Sequence, residues 1–136
     1  MFVEGVMIGG SCHCGAVKWA FDATPEGATA CNCTVCRRYG AIWIFHYEDE
    51  AIAHSGETKV YHRRRAIEFH FCPTCGCVTW WRGRRLEPDG RRRMAVNIRL
   101  ADDPDSVMQI PFYHFDGLET FQDLPRDGNC VADMWF

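Results

Sequence analysis

The chain has 136 residues, of which 47% are hydrophobic and 13% aromatic, and its formal net charge at pH 7 is −3. This composition suits one folded domain over residues 1–136 and excludes a largely disordered chain. No apolar run reaches the roughly 18 residues of a membrane helix, and the apolar start at residues 1–8 contains Glu4 and no basic leader. We therefore expect a cytoplasmic protein that does not use the membrane as a partner.

Basic residues are concentrated in the middle of the chain. The segment from Lys59 to Arg99 carries a charge of +8, and the rest of the chain carries −11. Thirteen of the fifteen basic residues are arginine, the side chain suited to bidentate binding of carboxylate or phosphate. An acidic ligand therefore fits, although the runs Arg63–Arg65 and Arg91–Arg93 also suit solvated strand ends and a hairpin rim. The net negative charge makes nucleic acid an unfavoured partner.

Most of the predicted elements are strands. Residues 10–15 predict a glycine-bounded turn, and residues 22–28, with Pro25 and Gly27, predict a loop. A short helix is expected to open after Cys36. On alternation and on β-branched and aromatic content, strands are predicted over residues 16–21, 41–47, 59–62, 66–71, 78–81, 94–100 and 110–115. One mainly antiparallel β domain is the interpretation that this order favours.

Within these strands, two patterns make specific predictions. Residues 41–47 are apolar on both faces, which indicates a central strand. Residues 94–100 place Met94, Val96, Ile98 and Leu100 on one face. The turn between the strands at 78–81 and 94–100 is predicted at residues 88–90, and the apolar tail at residues 134–136 is expected to pack on its own domain or on a neighbouring subunit. A homo-oligomer is therefore left open.

Seven of the nine cysteines fall into three tight clusters. The clusters are Cys12 and Cys14, then Cys31, Cys33 and Cys36, and then Cys72 and Cys75. The odd total and the clustering favour metal binding in a reducing compartment over disulfides. Short Cys-x-Cys and Cys-x-x-Cys turns suit zinc, which prefers four tetrahedral ligands.

Seven ligands divide into a group of four and a group of three. Residues 71–76 have the form of a zinc knuckle, and Cys12 with Cys14 is the other two-cysteine turn, so these four are predicted to form a closed structural site. The trio of Cys31, Cys33 and Cys36 then leaves a fourth zinc position open for chemistry. The alternative is a second structural site, in which the trio is completed by Cys77, a histidine or a cysteine of another subunit.

Other polar residues receive structural interpretations. Cys77 and Cys130 are expected to be buried free cysteines. His13 is expected to pack beside the ligands, and Asn32 to contribute little. The strand histidines His46, His62 and His70 could transfer protons, although a structural role is favoured for each.

Three motifs and two later features carry a resemblance to a known family. They are Gly10-Ser11-Cys12-His13-Cys14-Gly15-Ala16-Val17, Cys31-Asn32-Cys33-Thr34-Val35-Cys36-Arg37-Arg38, Phe71-Cys72-Pro73-Thr74-Cys75-Gly76, Asn97 with Arg99, and Phe115-Asp116-Gly117. Over residues 8 to 117 the chain resembles the glutathione-dependent formaldehyde-activating enzyme family, which includes the centromere-protein-V-like proteins. The resemblance implies an Mss4-like β fold, with Cys12, Cys14, Cys72 and Cys75 on a structural zinc. It also implies a catalytic zinc on Cys31, Cys33 and Cys36.

The functional hypothesis is a zinc-dependent carbon-sulfur lyase of the S-(hydroxymethyl)glutathione synthase type, handling glutathione and formaldehyde adducts. The open zinc position could ionise an incoming thiol or act as a Lewis acid on a carbonyl oxygen, and the sequence leaves both open. Two zinc ions per chain are expected, with the occupancy of the second left open. The alternatives are a non-catalytic zinc-binding interaction module and an enzyme acting on another thiol adduct.

Overall fold

In the computed structural model, which describes residues 7–135, eleven strands form two sheets. The strands are β1 (Ile8–Ser11), β2 (Lys18–Phe21), β3 (Ala28–Cys31), β4 (Trp43–Tyr47), β5 (Ile52–Ser55), β6 (Lys59–Arg63), β7 (Ile67–Phe71), β8 (Val78–Gly83), β9 (Arg93–Asn97), β10 (Phe112–Asp116) and β11 (Gln122–Asp123). A one-turn helix, α1 (Cys36–Tyr39), follows the cysteine trio. Three 3₁₀ segments span Ile98–Leu100, Pro104–Ser106 and Val131–Met134.

The larger sheet has the order β11-β10-β3-β4-β9-β8-β7-β6, and the smaller sheet has the order β1-β2-β5. All neighbours are antiparallel except β3 and β10, which run parallel with Cys31 opposite Phe115. The predicted mainly β fold is confirmed. The parallel pair places the start of the trio beside the end of β10, although more than 80 residues separate them in the sequence.

The main hydrophobic core lies between the two sheets. Side chains of the smaller sheet, including Trp19 and Phe21, pack with Ile44, Met94 and Val96 from the centre of the larger sheet. Burying side chains of this size stabilises the fold by about 2 kcal/mol each. Met134 and Trp135 pack against the same core, so the described part of the apolar tail lies on its own chain. The last residue of that predicted segment, Phe136, lies outside the described residues.

A second apolar cluster covers the opposite face of the larger sheet. It contains Trp43, Phe69, Trp81 and Ala95, and it also contains Cys33 and Cys36 of the trio. The central strands are therefore buried on both faces, which is why residues 41–47 are apolar without a polar alternation. The cysteine trio rests directly on this aromatic layer.

Several sequence-based boundaries were wrong for identifiable reasons. Residues 10 and 11 belong to β1, not to a turn, because Gly10 leaves room for the ring of Trp19. β9 ends at Asn97 because its side chain accepts the Arg99 N–H and turns the chain into a 3₁₀ segment. Residues 94–98 are buried on both faces: Met94, Val96 and Ile98 lie together in the main core, as their alternation predicts, and Ala95 packs in the second apolar cluster. Strands β1, β3, β5 and β11 were not predicted.

Within residues 7–135, no helix has the length and apolar composition needed to cross a membrane. The apolar start is described only from residue 7 onward, so residues 1–6 of that predicted feature lie outside the described residues.

Candidate metal centres and the adjoining cavity

Four cysteines from two distant turns converge on one point. Cys12 and Cys14 follow β1, and Cys72 and Cys75 follow β7. Their four sulfur atoms lie within 4.8 Å of one another, and the Cys14 sulfur is 3.7 Å from that of Cys12 and 3.6 Å from that of Cys72. Sulfurs bound tetrahedrally to zinc at about 2.3 Å lie about 3.8 Å apart. The group therefore has the donor set and spacing of a closed metal site.

Backbone N–H groups in both turns point at these sulfurs. Val17 N–H donates to the Cys12 sulfur at 3.2 Å, and Cys75 N–H donates to the Cys72 sulfur at 3.4 Å. The N–H groups of Cys77 and Cys14 lower the pKa of the Cys75 thiol to about 5. Such donors stabilise the thiolate, which is the form that binds metals. The backbone of both turns thus stabilises the sulfurs in the form that binds a metal ion.

The trio forms a second cluster at the end of β3. The sulfurs of Cys31, Cys33 and Cys36 lie within 4.8 Å of one another, and Cys36 N–H donates to the Cys33 sulfur at 3.3 Å. A hydrogen bond from the Cys36 thiol, aided by the N–H groups of Cys33 and Gly117, lowers the pKa of Cys31 to about 6 against the effect of burial. Hydrogen bonding with Cys31 and burial raise the pKa of Cys36. This cluster could also hold a metal ion.

Within residues 7–135, no histidine, carboxylate or fourth cysteine completes the trio. Cys77 packs instead against the four-cysteine group, where it is half-buried. Two of the three alternatives for a closed second site, Cys77 and a histidine, therefore find no support in the described chain. Among the described residues of this chain, the trio therefore has no fourth protein ligand.

The turn after β10 holds the trio in place. The Asn32 amide donates to Asp116 at 3.1 Å and accepts the Leu118 N–H at 3.0 Å, so the residue expected to contribute little links the two segments. The Asp116 carboxylate also accepts the N–H groups of Glu119 and Thr120, each at 3.1 Å. Hydrogen bonds from Thr120 and Asn32 hold the pKa of Asp116 below its usual range.

Gly117 packs directly against the trio. A Cβ atom at this position would lie 2.5 Å from the Cys31 sulfur and 3.1 Å from the Cys33 Cβ. We expect Gly117→Ala to displace these sulfurs and to weaken metal binding by the trio by about tenfold or more, with no effect on the four-cysteine group. Titration with cobalt(II), followed by thiolate absorption, measures the two affinities separately.

Gly9→Ala is the matched control, because its Cβ would lie at an ordinary 3.6 Å from the nearest atom, a carboxylate oxygen of Asp102. Wild-type affinity at both groups in Gly117→Ala would contradict this role for the β10 turn.

A cavity of about 900 Å³ adjoins the trio. Its lining includes side chains at alternate positions of β3, β4, β7 and β10, as expected for one face of a sheet. Aromatic rings predominate in this lining: Phe21, Trp43, Phe45, Tyr47, Phe69, Trp81, Tyr113, Phe115 and Phe121. All three cysteines of the trio line the cavity, so a molecule bound there could reach their sulfurs.

Three arginines line the same cavity: Arg63, Arg93 and Arg126. Within residues 7–135, none of the three has a carboxylate within 4.0 Å. Arg63 donates to the Thr34 hydroxyl at 3.2 Å, beside Cys33. By contrast, Arg91 pairs with Asp89 and Arg92 lies near Glu48. The two arginine runs are therefore divided between cavity and surface ion pairs.

None of the candidate histidines belongs to either metal-binding group of the described residues. His70 is buried against Trp80, with its rings 3.6 Å apart, and it contacts Thr58 and Glu68. His62 and His13 are exposed, and His46 lines the cavity with its Nδ1 accepting the Tyr47 N–H at 2.8 Å.

The described residues thus define a β-sheet protein with two thiolate groups of the metal-binding kind, one of which opens on an aromatic cavity. The sequence model of the family described as glutathione-dependent formaldehyde-activating enzyme matches residues 7–113. The chain belongs to this family.

One named protein and one solved structure are similar to this chain. A Halomonas elongata protein named "Putative glutathione-dependent formaldehyde-activating enzyme" is 30% identical in an alignment that covers 55% of this chain and 55% of that protein. The chain thus aligns with about half the length of this curated relative. The crystal structure of a Rhodobacter sphaeroides protein has a TM-score of 0.58 and 25% identity, covering 76% of this chain and 98% of the other.

Proposed function

We propose that this protein is a zinc-dependent carbon-sulfur lyase of the S-(hydroxymethyl)glutathione synthase type, acting in the reducing cytoplasm. The family supports a glutathione-related reaction. The observation that carries the proposal is that the trio, which has three sulfurs and no fourth protein ligand among the described residues, lines a large cavity. A zinc ion held there would supply Lewis acidity toward a thiol or a carbonyl oxygen.

In the proposed reaction, the glutathione sulfur forms a bond to the carbonyl carbon of formaldehyde. The electron pair of the C=O π bond passes to oxygen, which takes up a proton, and the thiol loses its proton. Atoms and electrons balance without an oxidant or a reductant. Cys12, Cys14, Cys72 and Cys75 would hold a second, structural zinc, and Cys31, Cys33 and Cys36 would form the reactive centre.

The chain's own residues would bind and orient glutathione. Arg63 is the cavity arginine tied to the trio loop, and its guanidinium suits a substrate carboxylate because no acidic side chain of the described residues neutralises it. One side of the cavity consists of the apolar side chains of Trp43, Phe69 and Trp81, and these limit the water around the reacting sulfur.

Calorimetric titration of the zinc-loaded protein with glutathione tests this function. We expect binding that requires the free thiol, so S-methylglutathione should bind about tenfold more weakly or not at all.

Arg63→Gln should weaken glutathione binding by about tenfold, because a hydrogen bond between charged groups is lost. The control is Arg65→Gln, since Arg65 is exposed and does not line the cavity. Failure of glutathione to bind would overturn the proposal.

A further inference from the structure

One edge of β4 is open toward the cavity. β9 pairs with β4 along its whole length, from Trp43 to Tyr47. On its other edge, β4 pairs with β3 only where Trp43 faces Thr29. If β3 kept this register, Gly27 would lie opposite Phe45, but β3 begins at Ala28. Gly27 and Phe45 both line the cavity, so the cavity occupies the place of the missing strand.

The alternation of an antiparallel pair shows which main-chain groups face this open edge. The Ile42 C=O accepts from Ile98 N–H at 2.9 Å, and the Glu48 N–H donates to Arg92 C=O at 2.9 Å. Even-numbered positions therefore bond toward β9. The odd-numbered position Phe45 directs its N–H and C=O toward the cavity edge.

Phe45 is left with both main-chain groups available. At the next odd position, the Tyr47 N–H donates to His46 Nδ1 and the Tyr47 C=O accepts from Glu50 N–H at 3.2 Å. Within residues 7–135, no turn or loop hydrogen bond between main-chain groups involves the Phe45 N–H or C=O, and the β4–β9 alternation directs both groups away from β9. Phe45 is partly buried and lines the cavity, so a molecule bound there could pair with both groups.

A positive charge lies beside this pair. Arg93 faces Tyr47 across the β4–β9 register, and its guanidinium carbon lies 5.5 Å from the centre of the Phe45 ring. No carboxylate of the described residues lies within 4.0 Å of it. One N–H donor, one C=O acceptor and one cation together complement an α-amino acid group, whose carboxylate accepts and whose ammonium donates.

The spacing from the trio fits one end of glutathione. Cys31 and Phe45 both line the cavity, and the register separates them by four residues, or about 13 Å along the strands. In an extended glutathione, the α-amino acid group of the γ-glutamyl residue lies about 10 Å from the sulfur. We infer that the Phe45 main chain and Arg93 form a subsite for this γ-glutamyl group, an inference that rests on the proposed function.

Amide hydrogen exchange tests the subsite without altering the protein. In the zinc-loaded protein, saturating glutathione should slow exchange of the Phe45 amide by about tenfold or more, as should γ-glutamylcysteine. Cysteinylglycine, which lacks the γ-glutamyl group, should not slow it and should bind about tenfold more weakly. The Tyr47 amide, already bonded to His46, is the internal reference. Glutathione binding with unchanged Phe45 exchange would overturn the subsite and leave the proposed function standing, whereas absent binding would overturn both.

Substitutions separate the main chain from the ring. Phe45→Pro removes an N–H that the sheet does not use, and it should weaken glutathione binding by about tenfold while leaving cysteinylglycine binding unchanged. Phe45→Ala keeps the N–H, so glutathione should still slow hydrogen exchange of the amide at position 45. If Phe45→Pro lowers the affinities for glutathione and cysteinylglycine by the same factor, the inference is overturned. If that variant does not fold, the exchange measured in the unaltered protein decides.

Discussion

Replacing Cys72 by serine is expected to remove one zinc ion per chain and to lower the melting temperature by about 10 °C or more. Cys72 is fully buried, and its sulfur lies 3.6 Å from that of Cys14, 58 positions earlier in the chain. A metal bound by both turns would hold the small sheet against the end of β7, so its loss removes binding free energy that is available only to the folded chain. Metal analysis and calorimetric unfolding measure the two effects.

Cys77→Ser is the matched control for this prediction. Cys77 is a half-buried thiol that packs against the same group without belonging to it. Its replacement should leave the zinc content unchanged and the melting temperature within about 4 °C, the shift that corresponds to about 1 kcal/mol. Full zinc content and an unchanged melting temperature in Cys72→Ser would contradict a structural role for the group.

Replacing Cys33 by serine is expected to reduce the catalysed formation of S-(hydroxymethyl)glutathione by about 100-fold or more, because the trio loses one of its three thiolates. The zinc content should fall from two ions per chain to one. The fold should persist, since the core between the sheets does not include Cys33. The activity is the rate of exchange between free glutathione and its formaldehyde adduct, measured by NMR after the uncatalysed rate is subtracted.

Cys130→Ser serves as the control for Cys33→Ser. Cys130 is a partly buried free thiol that lies beside Pro111 and belongs to neither group. It should keep full activity and two zinc ions. An unchanged exchange rate in Cys33→Ser would refute the proposed reactive centre.

The cysteine spacing was the most informative part of the sequence because metal-binding turns are local. Two thiols separated by one or two residues must point in related directions, whatever the rest of the fold does. The structure brings together the same four sulfurs and the same three that the spacing grouped. Their occupancy and roles remain predictions until metal is measured.

The cavity could not be predicted in the same way, because its walls depend on strand order. Asn32 and Asp116 are 84 positions apart, and nothing local to either residue indicates that they meet. The parallel pairing of β3 with β10 brings them together. Alternate aromatic residues such as Trp43, Phe45 and Tyr47 are a usable signal for one wall, but the apolar pattern of residues 41–47 by itself predicts only a buried central strand.

Strands β1 and β3 were missed for a different reason. Ile8–Ser11 and Ala28–Cys31 consist largely of glycine, alanine and small polar residues, which have low β propensity. Their conformation is imposed by pairing with β2 and β10, a tertiary effect that propensity does not register. The same explanation applies to the two-residue strand β11.

The contacts of Asp116 connect the trio loop to the wall of the cavity. Its carboxylate holds Asn32 of the trio loop and also the N–H groups that lead toward Phe121, a residue of the cavity wall. A displacement of the trio loop would therefore alter the position of the turn after β10, because the Asp116 side chain is bonded to both. If a bound metal changes the affinity of the cavity for its ligand by some factor, the bound ligand must change the affinity of the trio for the metal by the same factor. If the trio binds zinc and the cavity binds glutathione as proposed, we expect the zinc affinity of the trio to change with the concentration of glutathione.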